Sequence, residues 1–303
     1  MSSQPLVQLE PARPRLPEWL RRSETDFPAV TALKRDLRNL RLHTVCESAR
    51  CPNIHECFAR GAATFMILGN LCTRGCGFCS VPKGSPEKRE FTLDPDEPEN
   101  VARMAATMKL QYVVITSVNR DDLPDGGSLH WAETVRAVRR TLPNSRIEVL
   151  TPDFCGDLSA VDRVLDASPD VFNHNMETVQ RLYRRVRPQA DYRQSLTVLA
   201  YAKRKRPDIL TKSGLMVGLG ESEAEVQALL TDLAAADVDV ATIGQYLQPT
   251  RRNLRVAEYV SPAQFERYRE FGTANGLANV FSGPYVRSSY MADLVNRQTR
   301  QCS

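Results

Sequence analysis

Residues Cys72-Thr73-Arg74-Gly75-Cys76-Gly77-Phe78-Cys79 bring three thiols into one short loop. Three protein ligands cannot close a four-ligand site, whereas a cubane iron–sulfur cluster held by three thiolates keeps one iron open to a non-protein ligand. Gly75 and Gly77 let the chain wrap closely around such a cluster. A zinc knuckle is the competing reading. Zinc sites usually pair thiols as Cys-x2–4-Cys with a distant second pair, and no local fourth partner stands here. Upstream, Cys46, Cys51 and Cys57 form a second set. That set reads either as structural zinc completed by His55 or Cys155, or as another iron–sulfur cluster whose fourth ligand the spacing does not specify.

The elements that must position these thiols follow from periodicity. Short apolar runs at Thr64–Leu68, Tyr112–Thr116, Arg146–Leu150, Val171–Asn173, Ser213–Val217 and Ala241–Tyr246 predict strands. Helical patterns cover 29–42, 97–110, 128–141, 157–167, 178–205, 223–236 and 262–275, the last leading to a short apolar run at Asn279–Phe281. Ser222 with Glu225, and Ser261 with Gln264 after Pro262, predict capping boxes. Residues 1–25, with Pro5, Pro11, Pro14 and Pro17, read as an extended arm. Strands alternating with helices mean an α/β fold with a parallel sheet and right-handed crossovers. Cys72, Asp121 to Gly127, Asp153, Asn173 to Glu177, Gly218 to Glu221 and Gln245 each follow a strand's C-terminal end. Such convergence is barrel logic, and six units leave a TIM-type barrel incomplete and laterally open.

Composition narrows the class. The chain has 303 residues, 42% hydrophobic and 25% charged, which is enough for a real core and excludes a disordered chain or a disulfide mini-protein. No run approaches the roughly 18 apolar residues of a membrane-spanning helix. The start, Met1 to Glu10, lacks the regions of an export signal, so clustered thiols mean metal or redox chemistry more often than disulfides. Cys155 reads as a buried small hydrophobe and Cys302 as a tail thiol. Net charge is +4, from 40 Lys and Arg against 36 Asp and Glu, too balanced to suggest duplex nucleic acid. The basic runs Arg181 to Arg187, Lys203 to Arg206 and Arg251-Arg252 read chiefly as solvated faces, with an acidic partner as the alternative. A cytoplasmic protein with no membrane and no nucleic-acid partner is expected.

The Cys72–Cys79 segment resembles the signature of the radical S-adenosylmethionine superfamily, Cys-x3-Cys-x-aromatic-Cys, with Phe78 in the aromatic slot. The Cys46, Cys51, Cys57 set just before it resembles that of lipoyl synthases. Further similar blocks are Gly61 to Ile67, Val113 to Val118, Arg120-Asp121-Asp122-Leu123, Asp125-Gly126-Gly127, Phe172 to Thr178, Thr211 to Glu221 and Gly283 to Tyr290. They span about residues 40 to 292. Phe58, Ala62 and Asn119 depart from the residues common in the family, and none is expected to touch a ligand. A biotin synthase lacks the N-terminal triad, a tRNA methylthiotransferase carries an added RNA-binding domain, and a zinc-stabilised binding protein would lack visible colour.

The resemblance implies a partial (β/α)6 TIM-type barrel over 61–250. Residues 1–60 are then an N-terminal extension carrying the auxiliary cysteines, and 251–303 a C-terminal helix with the Arg-Ser-Ser-Tyr element. It implies two [4Fe-4S] clusters, one on Cys72, Cys76 and Cys79 that binds S-adenosyl-L-methionine, and one on Cys46, Cys51 and Cys57. The latter takes a serine oxygen, Ser288 or Ser289, with Ser289 favoured. Two sulfur atoms would enter C6 and C8 of a protein-bound octanoyl-lysine, supplied by the auxiliary cluster, with two S-adenosylmethionine consumed. By the same resemblance, Asp125, Gly126 and Gly127 accept from the methionine amino group. Asn175 and Glu177 hold the ribose, Gly218 to Glu221 support the adenosine, and Lys212 and Arg287 contact anions. Gly218 to Glu221 is no dinucleotide fingerprint, because position 223 is Glu. His174 is expected to make a structural hydrogen bond. Expected partners are octanoylated lipoyl-carrier proteins (dehydrogenase-complex lipoyl domains and the glycine cleavage H protein), an electron donor such as ferredoxin or flavodoxin, and an iron–sulfur carrier.

Overall fold

The apolar runs become one sheet whose eight strands follow each other in chain order. A computed structural model describes residues 15–20, 27–59, 63–84 and 92–289. Most of the expected arm, together with Gly61, Ala62, Tyr290 and Cys302, lies outside the described residues. The strands are β1 (His43–Thr44), β2 (Thr64–Ile67), β3 (Tyr112–Ser117), β4 (Arg146–Leu150), β5 (Val171–Asn173), β6 (Leu210–Val217), β7 (Val240–Gln245) and β8 (Asn279–Gly283). β2 to β7 are the six expected strands, all parallel. The final apolar run adds β8 parallel to β7, and β1 adds antiparallel to β2. The sheet stays open, with β1 and β8 as its edges.

The helices are α1 (Phe27–Asn39), α2 (Val45–Ser48), α3 (Ile54–Ala59), α4 (Glu97–Thr107), α5 (Ser128–Thr141), α6 (Leu158–Asp166), α7 (Tyr183–Val186), α8 (Tyr192–Lys205), α9 (Glu223–Ala235) and α10 (Pro262–Ala274). Every residue of β2 and β7 is buried, as in parallel strands covered on both faces. Phe65, Ile115, Val149, Trp131 and Val135 centre one half of the core, and Leu215, Ile243, Leu230 and Phe265 the other. Ser222 and Glu225 form the full expected capping box at α9. At α10 only half of the expected box forms: Ser261 accepts from the Gln264 N–H, while the Gln264 side chain turns to Arg267. No helix among the described residues is long and apolar enough to cross a membrane.

The expected helix over 178–205 is broken. Arg187 leaves helical geometry at φ −136° and ψ 69°. Pro188 follows, and a residue before proline is driven out of the α region. α8 restarts behind Asp191, which accepts from the Gln194 N–H at 2.8 Å.

Lys212 is corrected too. It is not a cofactor anion contact but lies in the sheet's interior, its Nζ 3.1 Å from both Glu148 carboxylate oxygens, with the two side chains 1% and 0% exposed. Tyr112 and Asn173 also donate to Glu148, at 2.6 and 2.8 Å. Removing one member of a buried pair strands the other charge. Lys212→Met is therefore expected to cost about 3–5 kcal/mol of stability, read as a lowered urea midpoint, and the Glu148→Gln/Lys212→Met pair should recover much of it.

Candidate active site

Polar strand ends of this open sheet converge on a cavity of about 300 Å³. β3 delivers Thr116 and Ser117, β4 is followed by Thr151, β5 by His174, Asn175 and Glu177, and β7 contributes Thr242 and Gly244. Cys72, Cys76 and Cys79 line this cavity, as do Cys51, Ser288 and Ser289. All seven cysteines of the described residues are free thiols.

The Cys72–Cys79 loop is fixed at nearly every turn. Cys72 N–H donates to Pro82 O at 2.9 Å and Gly77 N–H to Val186 O at 2.9 Å. Asn253 Nδ2 donates to the Gly77 and Cys79 carbonyls at 3.2 and 2.9 Å. A Cβ at Gly77 would stand 2.9 Å from Leu254, so only glycine allows this approach. Arg74 reaches inward and bridges the ends of β3 and β4, 2.7 Å from Asp121 and 2.6 Å from Asp153. Burial alone would raise the Asp153 carboxyl, but the Arg74 guanidinium holds it down at about 2. Burial pushes the Cys79 thiol up to about 12 and raises Cys76 as well, with Arg187 opposing the latter.

Of the second triad, Cys46 lies in α2, Cys57 in α3 and Cys51 in the loop between them. Thr44 caps α2 by accepting from the Glu47 N–H at 3.3 Å, and Cys51 N–H closes the next turn on Cys46 O at 3.0 Å. Cys46 is buried, which pushes its thiol up to about 12, and repulsion from Cys51 and Cys57 adds to the rise. Asn53, 1% exposed, donates from Nδ2 to Tyr285 O at 2.9 Å. This bond ties the cysteine segment to the chain that carries Arg287, Ser288 and Ser289. Ser288 Oγ donates to Asn175 Oδ1 at 2.7 Å, and Asn175 Nδ2 donates to Glu177 Oε1 at 3.0 Å. Cys155 cannot complete this triad. It is exposed rather than buried as expected, because Asp153 holds its N–H in a left-handed turn at φ 53°, and its sulfur lies 3.4 Å from Asp121 and Arg74.

Of the cofactor candidates, Phe78, Asn175, Glu177 and Arg287 line the cavity. Glu177 takes φ 64° there, a left-handed value uncommon outside glycine, and is held by its N–H on Gly214 O at 2.9 Å. The other candidates stand elsewhere. Asp125 caps α5, accepting from Gly127 and Leu129 N–H at 3.0 and 2.9 Å, and Gly126 and Gly127 form its turn. Glu221 accepts from the N–H of Gly218 and Leu219. Gly218, at φ +97°, sits where a Cβ would be 2.5 Å from Glu258 O. These residues shape the loops behind the site. His174 is buried between Thr151 O at 2.9 Å and Ser195 Oγ at 3.1 Å; burial and then Arg187 lower it to about 4, so it is neutral and structural.

Three wall residues escape sequence reasoning. Arg187, inside a run read as a solvated face, is 9% exposed, lines the cavity and donates to the Asn175 carbonyl at 2.8 Å. Asn119 does touch a thiol, contrary to expectation: its N–H lies 3.3 Å and its Nδ2 3.8 Å from Cys72 Sγ. Ser117, the last residue of β3 and two positions earlier, lies on the same wall. Ser117 Oγ, Asn119 Oδ1 and Arg187 Nε are buried without a hydrogen-bond partner among the described residues. Buried polar atoms of this kind call for a polar ligand. An amide directed at a cysteine sulfur suits an iron–sulfur ligand, while among the described residues no three Cys, His, Asp or Glu side chains stand close enough together to hold a metal as they are placed.

Comparison with known proteins agrees with this geometry. The profile of the radical SAM superfamily matches residues 66–233. That of the N-terminal domain of lipoyl synthase of the radical SAM family matches residues 3–51. Lipoyl synthase of Rubrobacter xylanophilus is 55% identical over 276 residues, 91% of this chain and 85% of that one. The enzyme of the same name from Thermus thermophilus is 52% identical over 293 residues, 96% and 90% of the two chains. Among solved structures, methylornithine synthase aligns with a TM-score of 0.52 at 15% identity, covering 78% of this chain and 79% of that one. Coproporphyrinogen III oxidase of Escherichia coli, a radical SAM enzyme, aligns at 0.53 and 16%, over 68% and 51%. At such identities these two likenesses speak to the fold, an incomplete barrel.

Proposed function

Because the chain belongs to the lipoyl synthase family of radical S-adenosylmethionine enzymes, we propose that it inserts sulfur at C6 and C8 of an octanoyl chain carried on a lysine of a lipoyl-carrier protein. The observation that carries this reading is that cysteines of both triads and the serine pair line one cavity. The family's cofactors are [4Fe-4S] clusters and S-adenosylmethionine, which when bound supply a 5′-deoxyadenosyl radical for hydrogen abstraction and the sulfur that replaces each hydrogen.

Cys72, Cys76 and Cys79 would hold the cluster that takes S-adenosylmethionine, and Cys46, Cys51 and Cys57 the auxiliary one. Asn119, by its amide and side chain, orients the Cys72 sulfur. Glu177, Asn175, Ser117 and Arg187 offer the acceptors and donors for the polar parts of S-adenosylmethionine, with Arg287 beside them. Met66, Leu215, Met216 and Leu247 give the cavity apolar walls, which keep water from a reactive alkyl chain. Residues 1–60 and 251–303 act as the extensions that bring the auxiliary ligands to the 61–250 barrel. A small iron–sulfur protein or flavodoxin as reductant, an iron–sulfur carrier, and work in the cytoplasm complete the proposal.

For the fourth auxiliary ligand we favour Ser289, since the Ser288 hydroxyl is already given to Asn175. Ser289→Ala is expected to stop lipoyl formation, while Ser288→Ala loses one hydrogen bond, worth about 1 kcal/mol; unchanged turnover in Ser289→Ala would move the assignment to Ser288. The whole reading is tested by iron and acid-labile sulfide on anaerobically reconstituted protein, with turnover of an octanoyl-lysyl peptide followed by mass. About eight iron and eight sulfide per chain are expected, as two cubanes require, together with a dithiolated product. Zinc without sulfide would end the proposal.

A further inference from the structure

We infer that Arg50, Lys83, Arg251 and Arg252 form a cationic rim at the cavity mouth that docks an acidic face of the carrier protein. The inference rests on the sulfur-insertion reading and names how its macromolecular substrate is received. Arg50 and Lys83 are exposed and line the cavity, one from the second cysteine segment, the other just beyond the Cys72–Cys79 loop. Arg251 and Arg252 are exposed in the turn that Thr250 and Asn253 close by a hydrogen bond. That turn rests on the thiol loop through Asn253, and through Leu254 N–H on Gly77 O at 3.0 Å; Pro249, just before it, lines the cavity. Two separate stretches of chain thus bring cations to the opening itself, and a third carries two more on the turn that follows Pro249.

None of the four has a carboxylate partner among the described residues. Elsewhere Arg181 pairs with Glu225, Lys205 with Asp162, Arg206 with Asp208 and Arg267 with Glu223, while exposed Arg184, Arg185 and Arg193 are also without a carboxylate partner among the described residues, so the rim is set apart by its place beside the cavity. Nor do the described carboxylates of the cavity walls neutralise the rim. Asp121 and Asp153 are committed to Arg74, Asp122 to Arg120, and Glu177 accepts from Asn175. Exposed like charges gathered without counterparts repel each other and give the fold nothing. They do attract an oppositely charged surface across a Debye length of about 8–10 Å. An octanoyl chain on a lysine stem is short. For its carbons to enter the cavity, the carrier's own surface must meet this rim. Rim charges of this kind act on encounter rate and salt dependence.

The test uses reconstituted enzyme and its Arg251→Glu/Arg252→Glu variant with two substrates: an octanoylated lipoyl domain with an acidic surface, and an uncharged octanoyl-lysyl peptide. At low ionic strength the variant should show a KM for the domain raised about tenfold or more, with kcat kept. Direct binding of the domain should weaken by the same factor, and its sensitivity to salt should largely vanish. Peptide turnover should be unchanged, which also shows the variant to be folded. Equal domain affinity and equal salt dependence in the two proteins would overturn the rim. So would a reversal that abolishes retention of tRNA while leaving domain binding intact. If the unaltered enzyme leaves the peptide unmodified, the sulfur-insertion reading fails instead, and domain binding still tests the rim.

Discussion

Cys76→Ala is expected to abolish reductive cleavage of S-adenosylmethionine, by at least about a thousandfold, equivalent to about 4 kcal/mol on the barrier. Cys76 lines the cavity together with Cys72 and Cys79, in a loop whose backbone is pinned to Pro82, Val186 and Asn253. That loop has no fourth thiol to take over. Cys155 is exposed and its sulfur is engaged by Asp121 and Arg74. Iron should fall by about four per chain, while the auxiliary set, held by α2, α3 and Asn53, should keep its own. Deoxyadenosine measured by chromatography under anaerobic conditions is the readout. Formation at the unaltered rate would remove the Cys72–Cys79 loop from the radical chemistry.

Cys51→Ala is expected to give the reverse separation. Deoxyadenosine should still form, and no lipoyl product should appear. Cys51 is the member of the second triad that lines the cavity, whereas Cys46 is buried behind it. Its loss leaves the Cys72–Cys79 loop and the walls at Asn119, Glu177 and Arg187 untouched, so cleavage has everything it needs. The sulfur donor must sit within near-attack distance of the substrate carbon, which no diffusing thiol can match. Mass spectrometry of the octanoyl-lysyl peptide should show no sulfur gained. A dithiolated peptide from this variant would falsify the donor role of the second triad.

Much of this was legible in the sequence, and what was not has physical reasons. The cysteine spacings carry chemistry on their own, and the short, largely apolar and β-branched runs at Tyr112–Ser117 and Val240–Gln245 read as covered strands. Arg187 was hidden because its burial depends on the chain breaking at Pro188; an unbroken helix would have left it one of several surface arginines. Lys212 looked like a ligand contact because its partner, Glu148, lies two strands away in the sheet and 64 residues away in sequence. Asp125 looked like a cofactor acceptor because an aspartate before two glycines serves equally well as a helix cap, and here α5 takes both its oxygens. Ser117 and Asn119 had no spacing to betray them. Their role comes from which strand end they occupy.

The Asn53–Tyr285 bond also bears on how the molecule is made. Its two residues are 232 positions apart, so the auxiliary serine pair emerges from the ribosome long after Cys46, Cys51 and Cys57. The β2-to-β7 barrel and the Cys72–Cys79 loop are complete by Asn253 and can close while synthesis continues. On the proposed ligand set, the auxiliary ligands meet only after the segment from Pro284 to Ser289, beyond β8, has been added. With a serine as the proposed fourth ligand, full loading of the auxiliary cluster would wait until Ser289 has been added. A chain stalled before Ser289 would retain the thiols of the Cys72–Cys79 loop while lacking the proposed fourth ligand of the sulfur store.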